Sequence, residues 1–397
     1  MKSISKKVMA GLLVGATGLS IWAPASEAAE LEKNRYYAIT LKANSNIGWD
    51  VYEQATYDDA GIRLFGNGIK DNERFLFFPL DGGSYAIVNK NSGKAVTTGS
   101  GWIAPNTMSH DPEALKQAKW TGAATDKWNL RDAGNGYHEI VNQGYGKVAS
   151  YAKAGIGPLA VDYVDLDNSN PSDPDRVFSI FDGTVEFFGQ EMKLFDDTFS
   201  LPNLPVTGTR PDAPNYTGGI DQQLPQTSNS VVVGASLVPC IMVNDNQASD
   251  YTKIHNSPYY TLVKEEYWDK TFSAVIPAGL TRNYTFKTGV TSVDQQKMTD
   301  TLSMKIGADF GLKFGDASAA IKSEISRTIQ TEISTTNTEA SEETITSTVT
   351  SEPGKTTGFT EYQLATKYTL KRADGSIVSD PWVVKNNKIT VARKNTQ

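Results

Sequence analysis

Cysteine is almost absent from this 397-residue chain: Cys240 stands alone, so no intrachain disulfide can form. Within the apolar stretch Val238-Pro239-Cys240-Ile241-Met242-Val243 the expected state is a buried, unreactive thiol. Histidine is equally scarce. His110, His138 and His255 lie in separate segments without His-x-x-x-His or Cys spacing, which argues against a metal site. No Gly-x-Ser-x-Gly, phosphate-loop or dinucleotide fingerprint occurs, so no cofactor is expected. Glu265-Glu266 and Glu342-Glu343 are adjacent acids, and neighbours on a strand point to opposite faces, so neither pair makes an acid/base couple. Long apolar runs are missing beyond the first segment, so no helix that spans a membrane is expected there.

That first segment is the exception. Lys2, Lys6 and Lys7 precede an apolar Val8 to Ile21, and Ser26-Glu27-Ala28 offers small residues at a cleavage junction. Residues 1–28 therefore read as a secretory signal. Removing it takes away Lys2, Lys6, Lys7 and Glu27 and leaves 35 basic against 44 acidic residues. A chain with that acidic excess has no general attraction to nucleic acid or anionic lipid.

Residues 34–182 contain three weak copies of one unit. The openings are Tyr37-Ala38-Ile39, Tyr85-Ala86-Ile87-Val88-Asn89 and Tyr137-His138-Glu139-Ile140-Val141-Asn142. The closings are Glu73-Arg74-Phe75-Leu76-Phe77, Asp126-Lys127-Trp128-Asn129-Leu130 and Asp175-Arg176-Val177-Phe178. Three short-stranded units joined by Gly/Asn turns suit a closed β-trefoil better than an open solenoid. The segment resembles the ricin-B-like lectins, whose lobes close on Gln-x-Trp; the matching positions here are degenerate. That resemblance implies a sugar site made of an acid after the first turn, an aromatic ring and an amide. Only the first copy keeps the set, as Asp50, Phe65 and Asn67. A protein receptor bound by the same face is the other reading, and three lobes that merely pack are the bland one.

Residues 198–230 carry Pro202, Pro205, Pro211, Pro214 and Pro225, which exclude helix and central strand. The stretch is expected either to lie across the surface as a connector or to be an exposed, cuttable segment. From Val231 on, Thr, Ser, Val and Ile alternate. In 302–314 the even positions Leu302, Met304, Ile306, Ala308, Phe310, Leu312 and Phe314 are apolar or small, and the odd ones polar or glycine. That is period two over 13 residues, expected as one long strand. After Gly315-Asp316-Ala317-Ser318, a second run places Ile321, Ile325, Ile329 and Ile333 on one parity; spacing of four also suits a helical stripe. Further strands are expected over Thr344–Ser351 and Thr360–Lys371. A strand pair this long meets the length of a membrane-spanning hairpin and equally suits a long twisted sheet on a core.

Val238 to Asp245, then Lys253-Ile254-His255-Asn256-Ser257-Pro258-Tyr259-Tyr260, then Tyr267-Trp268, resemble the C-terminal domain of the Bin-like, or Tpp, insecticidal proteins. The resemblance implies an all-β chain: an N-terminal β-trefoil over 29–183, a Pro-rich connector over 184–230, and an elongated, aerolysin-like pore-forming domain of long strands over 231–397. It further implies a secreted toxin of insect gut cells that binds a cell-surface glycan or protein receptor, oligomerises after proteolytic trimming, often works with a second protein, and inserts into the target membrane. The series from Leu302 to Leu312 and Ile321 to Ile333 would be its insertion hairpin. Family members are commonly stored as crystals inside the cell, from which an export signal departs. Trimming is expected at the C-terminal Lys385, Lys388, Arg393 and Lys394. The alternatives from other classes are a secreted carbohydrate-binding adhesin and a glycan-active enzyme with a lectin-like module, the latter needing two converging carboxylates.

Overall fold

Strand-forming residues separated by Gly and Asn turns fold 36–181 into a closed, three-lobed barrel in the computed structural model. The structure describes residues 31–66, 70–80, 83–99, 101–102, 110–155, 157, 160–187, 190–193, 195–302, 304–306, 312–314 and 342–397. Residues 1–28, Asn67, Ala308, Phe310, the 315–318 turn, Ile321, Ile325, Ile329 and Ile333 lie outside them.

The closing strand of each copy pairs antiparallel with an opening strand of another. Phe75–Pro79 pairs with Tyr85–Asn89, Trp128–Asp132 with Tyr137–Asn142, and Phe178–Phe181 returns to Tyr36–Leu41. The ring closes and no edge is left between first and last copies, which is why three weak units form a stable β-trefoil. Phe75, Trp128 and Phe178, one from each copy, meet the buried Trp49 edge-on at centroid distances of 5.9, 6.4 and 5.7 Å. The repeated asparagines lock the turns. Asn89 and Asn142 are buried, donate to carbonyls of the preceding 3-10 turn (Asn72, Thr125), and accept from the turn that follows.

The second sheet has six strands: β1 (Val231–Pro239), β2 (Tyr259–Ile276), β3 (Thr281–Val290), β4 (Glu343–Thr350), β5 (Thr357–Lys371) and β6 (Trp382–Thr396), with helices α1 (Asp250–Asn256) and α2 (Ser292–Leu302). Their order is β1-β2-β5-β6-β3-β4. Both Thr-rich strands expected from the sequence are present as β4 and β5. Trefoil residues Tyr36, Leu76, Phe78 and Val88 share one apolar core with Val238, Tyr259, Leu262, Tyr368 and Trp382 of the second sheet. The Tyr36 hydroxyl also donates to the carbonyl of Ile254 at 2.9 Å. Gly93 of the second trefoil turn needs its bare Cα there, because a Cβ would sit 2.2 Å from the Asp250 carbonyl oxygen.

Two expectations are corrected. The stretch 302–314 is not one strand. Leu302 closes α2, and Met304–Ile306 pairs antiparallel with Leu312–Phe314, so the chain folds back within the stretch. The cause at its start is tertiary burial: Met298 and Leu302, one turn apart, both enter the shared core and override the period-two pattern. The long strands are β2, β5 and β6, with 18, 15 and 15 residues. Nor is the C-terminus a loose tail. β6 pairs with β5 from Trp382 to Thr396, and Gln397 exchanges backbone hydrogen bonds with Thr356. Lys385, Arg393 and Lys394 sit in that ladder, where a protease cannot draw out an extended segment without breaking it. The expected trimming there has no support.

Candidate functional site

Asp50 lies in the strand Asn44–Val51 and its side chain is 4% exposed. One carboxylate oxygen takes Arg63 Nη2 at 3.2 Å; the other takes Asn72 Nδ2 at 2.8 Å. Burial pushes its carboxyl up to about 6, against the opposing pull of the Arg63 pair. The acid expected to meet a sugar is instead turned inward by its strand, and its oxygens are engaged. What stands outside is aromatic. Phe65 is 57% exposed and Tyr57 54%. The Arg63 guanidinium lies over the Tyr52 ring at 4.3 Å and the Phe65 ring at 5.3 Å. Asp50 thus holds Arg63, and Arg63 backs a ring that faces solvent; the acid supports a platform rather than forming its rim.

In the second sheet the sequence motifs converge on Asp245, whose side chain is fully buried. Arg372 grips it with two bonds, Nε to Oδ2 at 2.7 Å and Nη2 to Oδ1 at 2.8 Å. The Tyr260 hydroxyl adds a third at 3.0 Å, and the Gln247 amide a fourth. Burial works to raise the Asp245 carboxyl, but the Arg372 and Tyr260 bonds outweigh it and hold it below the usual range. Ser257 Oγ accepts from the Ala373 amide, and Lys253 Nζ donates to the Val243 carbonyl at 3.0 Å. Asp245, Lys253, Ser257, Tyr260 and Arg372 are therefore a clamp that fixes the β1–β2 corner. Arg372 was missed from sequence because it lies 127 positions from its partner; a lone Arg ending a long strand gives no local signal. Cys240 is buried in the same core, and burial pushes its thiol up to about 12. Among the described residues no cluster of three or more His, Cys, Asp or Glu could hold a metal.

The third arrangement is a two-stranded ribbon. β3 and β4 pair antiparallel from Thr281↔Thr350 to Thr288↔Glu343. One face is wholly polar and exposed: Thr281, Asn283, Thr285 and Lys287 opposite Thr350, Thr348, Thr346 and Thr344. Hydroxyls bridge it, Thr281 to Thr350 and Thr348 to Asn283, both at 2.9 Å. The other face carries the ribbon's apolar side chains, Tyr284, Phe286, Ile345 and Val349, among Arg282, Thr288, Ser347 and Glu343. Tyr284 stacks on Phe272 at 4.2 Å, and Phe286, Ile345 and Val349 join Phe359 and Ile276. At its base the ribbon is held by few bonds: Gly289 and Val290 pair with β6, Thr288 Oγ1 donates to the Lys385 carbonyl, and Gln363 Nε2 to that of Lys287. The chain leaves this ribbon after Val290, runs into α2 from Ser292, and is back in it at Glu343.

A family model described as Insecticidal Crystal Toxin, P42 matches residues 231–397, and one described as Ricin-type beta-trefoil lectin domain-like matches 71–158. The chain is similar to binary larvicide subunit BinA of Lysinibacillus sphaericus, 29% identical over 333 residues, which cover 82% of this chain and 81% of that protein. Subunit BinB of the same organism is 28% identical over 323 residues, 79% of this chain and 68% of that protein. The crystal structure of Cry35Ab1 matches with a TM-score of 0.72 at 21% identity, covering 92% of this chain and 90% of that one. At that identity the last likeness speaks for the fold alone.

Proposed function

Because this chain belongs to the Bin-like insecticidal toxin family, we propose that it is a secreted insecticidal toxin that binds a cell surface through its trefoil, oligomerises and inserts a β-barrel. Residues 1–28 would be its export signal, and a second protein component its partner, as the relatives named as binary subunits suggest. Phe65, with Arg63 behind it, is the platform offered to a glycan or protein receptor, with Asn67 as the neighbouring amide.

The ribbon register carries the pore reading. Counting onward from Thr288↔Glu343 in steps of one sets Leu302 opposite Ile329, Ile306 opposite Ile325, Phe310 opposite Ile321 and Phe314 opposite Ala317. The fold-back then falls on Gly315-Asp316, and glycine first in a two-residue loop is what a type II′ hairpin turn takes. Parity agrees as well. The ribbon's apolar face holds even numbers on β3 and odd on β4; continued, it collects Leu302, Met304, Ile306, Ala308, Phe310 and Leu312 with Ile321, Ile325, Ile329 and Ile333. Its polar face runs on into Lys305, Lys313, Lys322 and Gln330, which would line the lumen. A span of ~9–11 residues fits 304–314 against 317–327, placing Arg327 at the water boundary where a long side chain snorkels. Reaching that state requires α2 and the short pairing of 304–306 with 312–314 to come apart.

Planar-bilayer recordings test it. A lysine in mid-bilayer on the lipid face costs ~2–4 kcal/mol in each protomer, so Ala308→Lys is expected to abolish conductance. Lys305→Ser is expected to keep conductance and shift ion selectivity. Both variants must first melt cooperatively and bind cells. Normal conductance from Ala308→Lys removes this hairpin from the pore and turns attention to the Thr/Ser-rich stretch 335–351.

A further inference from the structure

The Pro-rich segment does not hang free. From Arg210 to Ser228 it crosses the face of β2, β5 and β6 and is tied down by its carbonyls. Trp268 Nε1 donates to Pro211 O at 2.7 Å, the Tyr362 hydroxyl to Pro225 O at 2.7 Å, and Arg393 Nη2 to Ala213 O at 3.0 Å. Ala213, Leu224 and Tyr216 pack on Trp268, Tyr362 and Leu364. Gly358 of β5 admits the strap closely, since a Cβ there would lie 2.2 Å from the Ile220 carbonyl oxygen. Upstream of this tied part, 203–209 is held by one backbone bond, Gly208 N–H to the Val232 carbonyl, and is otherwise open: Leu204 is 47% exposed and Val206 95%. An open, strand-free stretch joining two folded halves is where digestion normally severs a protein.

The positions of the prolines answer that threat. Between Lys193 and Lys253 the chain has a single basic residue, Arg210, and Pro211 follows it. The three leucines of 195–230 are Leu201, Leu204 and Leu224, and each precedes a proline: Pro202, Pro205 and Pro225. Arg210 is also ion-paired to Glu266 at 2.8 Å while its side chain stays 42% exposed. The aromatic residues of the stretch are all engaged. Phe195 lies under the Arg74 guanidinium, Phe199 is wedged between Tyr36 and Tyr259, and the Tyr216 hydroxyl bonds Thr360. Of the flanking lysines, Lys253 is buried in α1, and Lys193, whose side chain is exposed, ends a strand paired with Thr184–Phe187. Proline after the scissile carbonyl puts a ring carbon where the amide proton normally lies, crowding the protease's serine and histidine. Enzymes of trypsin and chymotrypsin specificity therefore leave Arg-Pro and Leu-Pro bonds intact.

We propose that the connector is a joint built to withstand trypsin-like and chymotrypsin-like serine endoproteases, with Pro202, Pro205, Pro211 and Pro225 as shields on the bonds those enzymes would select. The two halves then stay covalently joined wherever such enzymes are present. This does not depend on the pore reading, since a head that delivers any toxic partner needs the same joint.

The full-length protein is digested with each enzyme and the fragments identified by mass spectrometry. Wild type is expected to show no cut within 195–230. Pro211→Ala should gain a trypsin cut after Arg210, and Pro205→Ala a chymotrypsin cut after Leu204. Alanine keeps the carbonyl that Trp268 uses at position 211, so the variant should melt as wild type does. Val206→Lys places an unshielded basic residue at the most exposed point and should be cut by trypsin. Wild-type cleavage inside 195–230 overturns the proposal. So does resistance of both alanine variants, or of Val206→Lys, since packing and not proline would then protect the strap.

Discussion

Asp245→Ala tests whether the motif residues of the second sheet form a structural clamp. The substitution deletes both oxygens that Arg372 grips, at 2.7 and 2.8 Å, and the acceptor of the buried Tyr260 hydroxyl. Arg372 would keep only Ser376 Oγ and the Ile377 carbonyl. Removing one partner of a buried pair costs about 3–5 kcal/mol, because the other charge is left without compensation. Arg372 is 15% exposed, so water can relieve part of that, which puts the expected cost near the lower end. For a domain of this size about 3 kcal/mol lowers Tm by roughly 6–12 °C. Calorimetry and urea unfolding read the effect directly. Asp245→Asn should fall between, because an amide keeps an acceptor for Tyr260 and loses the ion pair. A variant that melts within about a degree of wild type would refute the clamp and return Asp245 to the candidates for function.

A second prediction concerns the trefoil: Phe65→Ala should weaken glycan or membrane-extract binding with stability changed by no more than about 0.5 kcal/mol, because the ring is exposed. Asp50→Ala should instead destabilise the head by about 3 kcal/mol through the stranded Arg63 and Asn72, and a melt unchanged by it would refute the support role. A third concerns pH. Burial raises Asp50 to about 6, and burial with Asp111 and Asp167 raises Asp165 to about 7, so both hold a proton more tightly folded than unfolded. Their stabilising contribution is full below the ordinary value of 3.8 and is lost as pH rises through 6 and 7. Melting temperatures at pH 5 and 8 should show a fall that the double variant Asp50→Asn, Asp165→Asn flattens; an equal fall in both proteins would exclude these carboxyls as its source. Asp245, Asp250 and Glu266 are depressed and act only in more acid solution, outside that interval.

The threefold head, the Thr-rich strands and the prolines of the connector are legible from the amino acids alone. Those are local patterns: an opening Tyr-Ala-Ile, a turn asparagine, a period of two, a ring that removes an N–H. Each is written within a few residues, so each survives being read without a fold. Tertiary structure decided the rest. Asp50 looked like a sugar ligand because its type and spacing were right, but which way its strand faces is set by the barrel core, and that turns it onto Arg63 and Asn72. Stretch 302–314 alternates as a strand should, yet Met298 and Leu302 gain more by entering the shared core from one face of a helix. The basic C-terminus reads as a tail until its fifteen-residue strand finds β5. Asp245, in the loop beyond β1, and Arg372, one residue past β5, meet only because the sheet brings those two places together across 127 positions. Burial and long-range pairing are properties of what the rest of the chain packs alongside, and no window of sequence contains them.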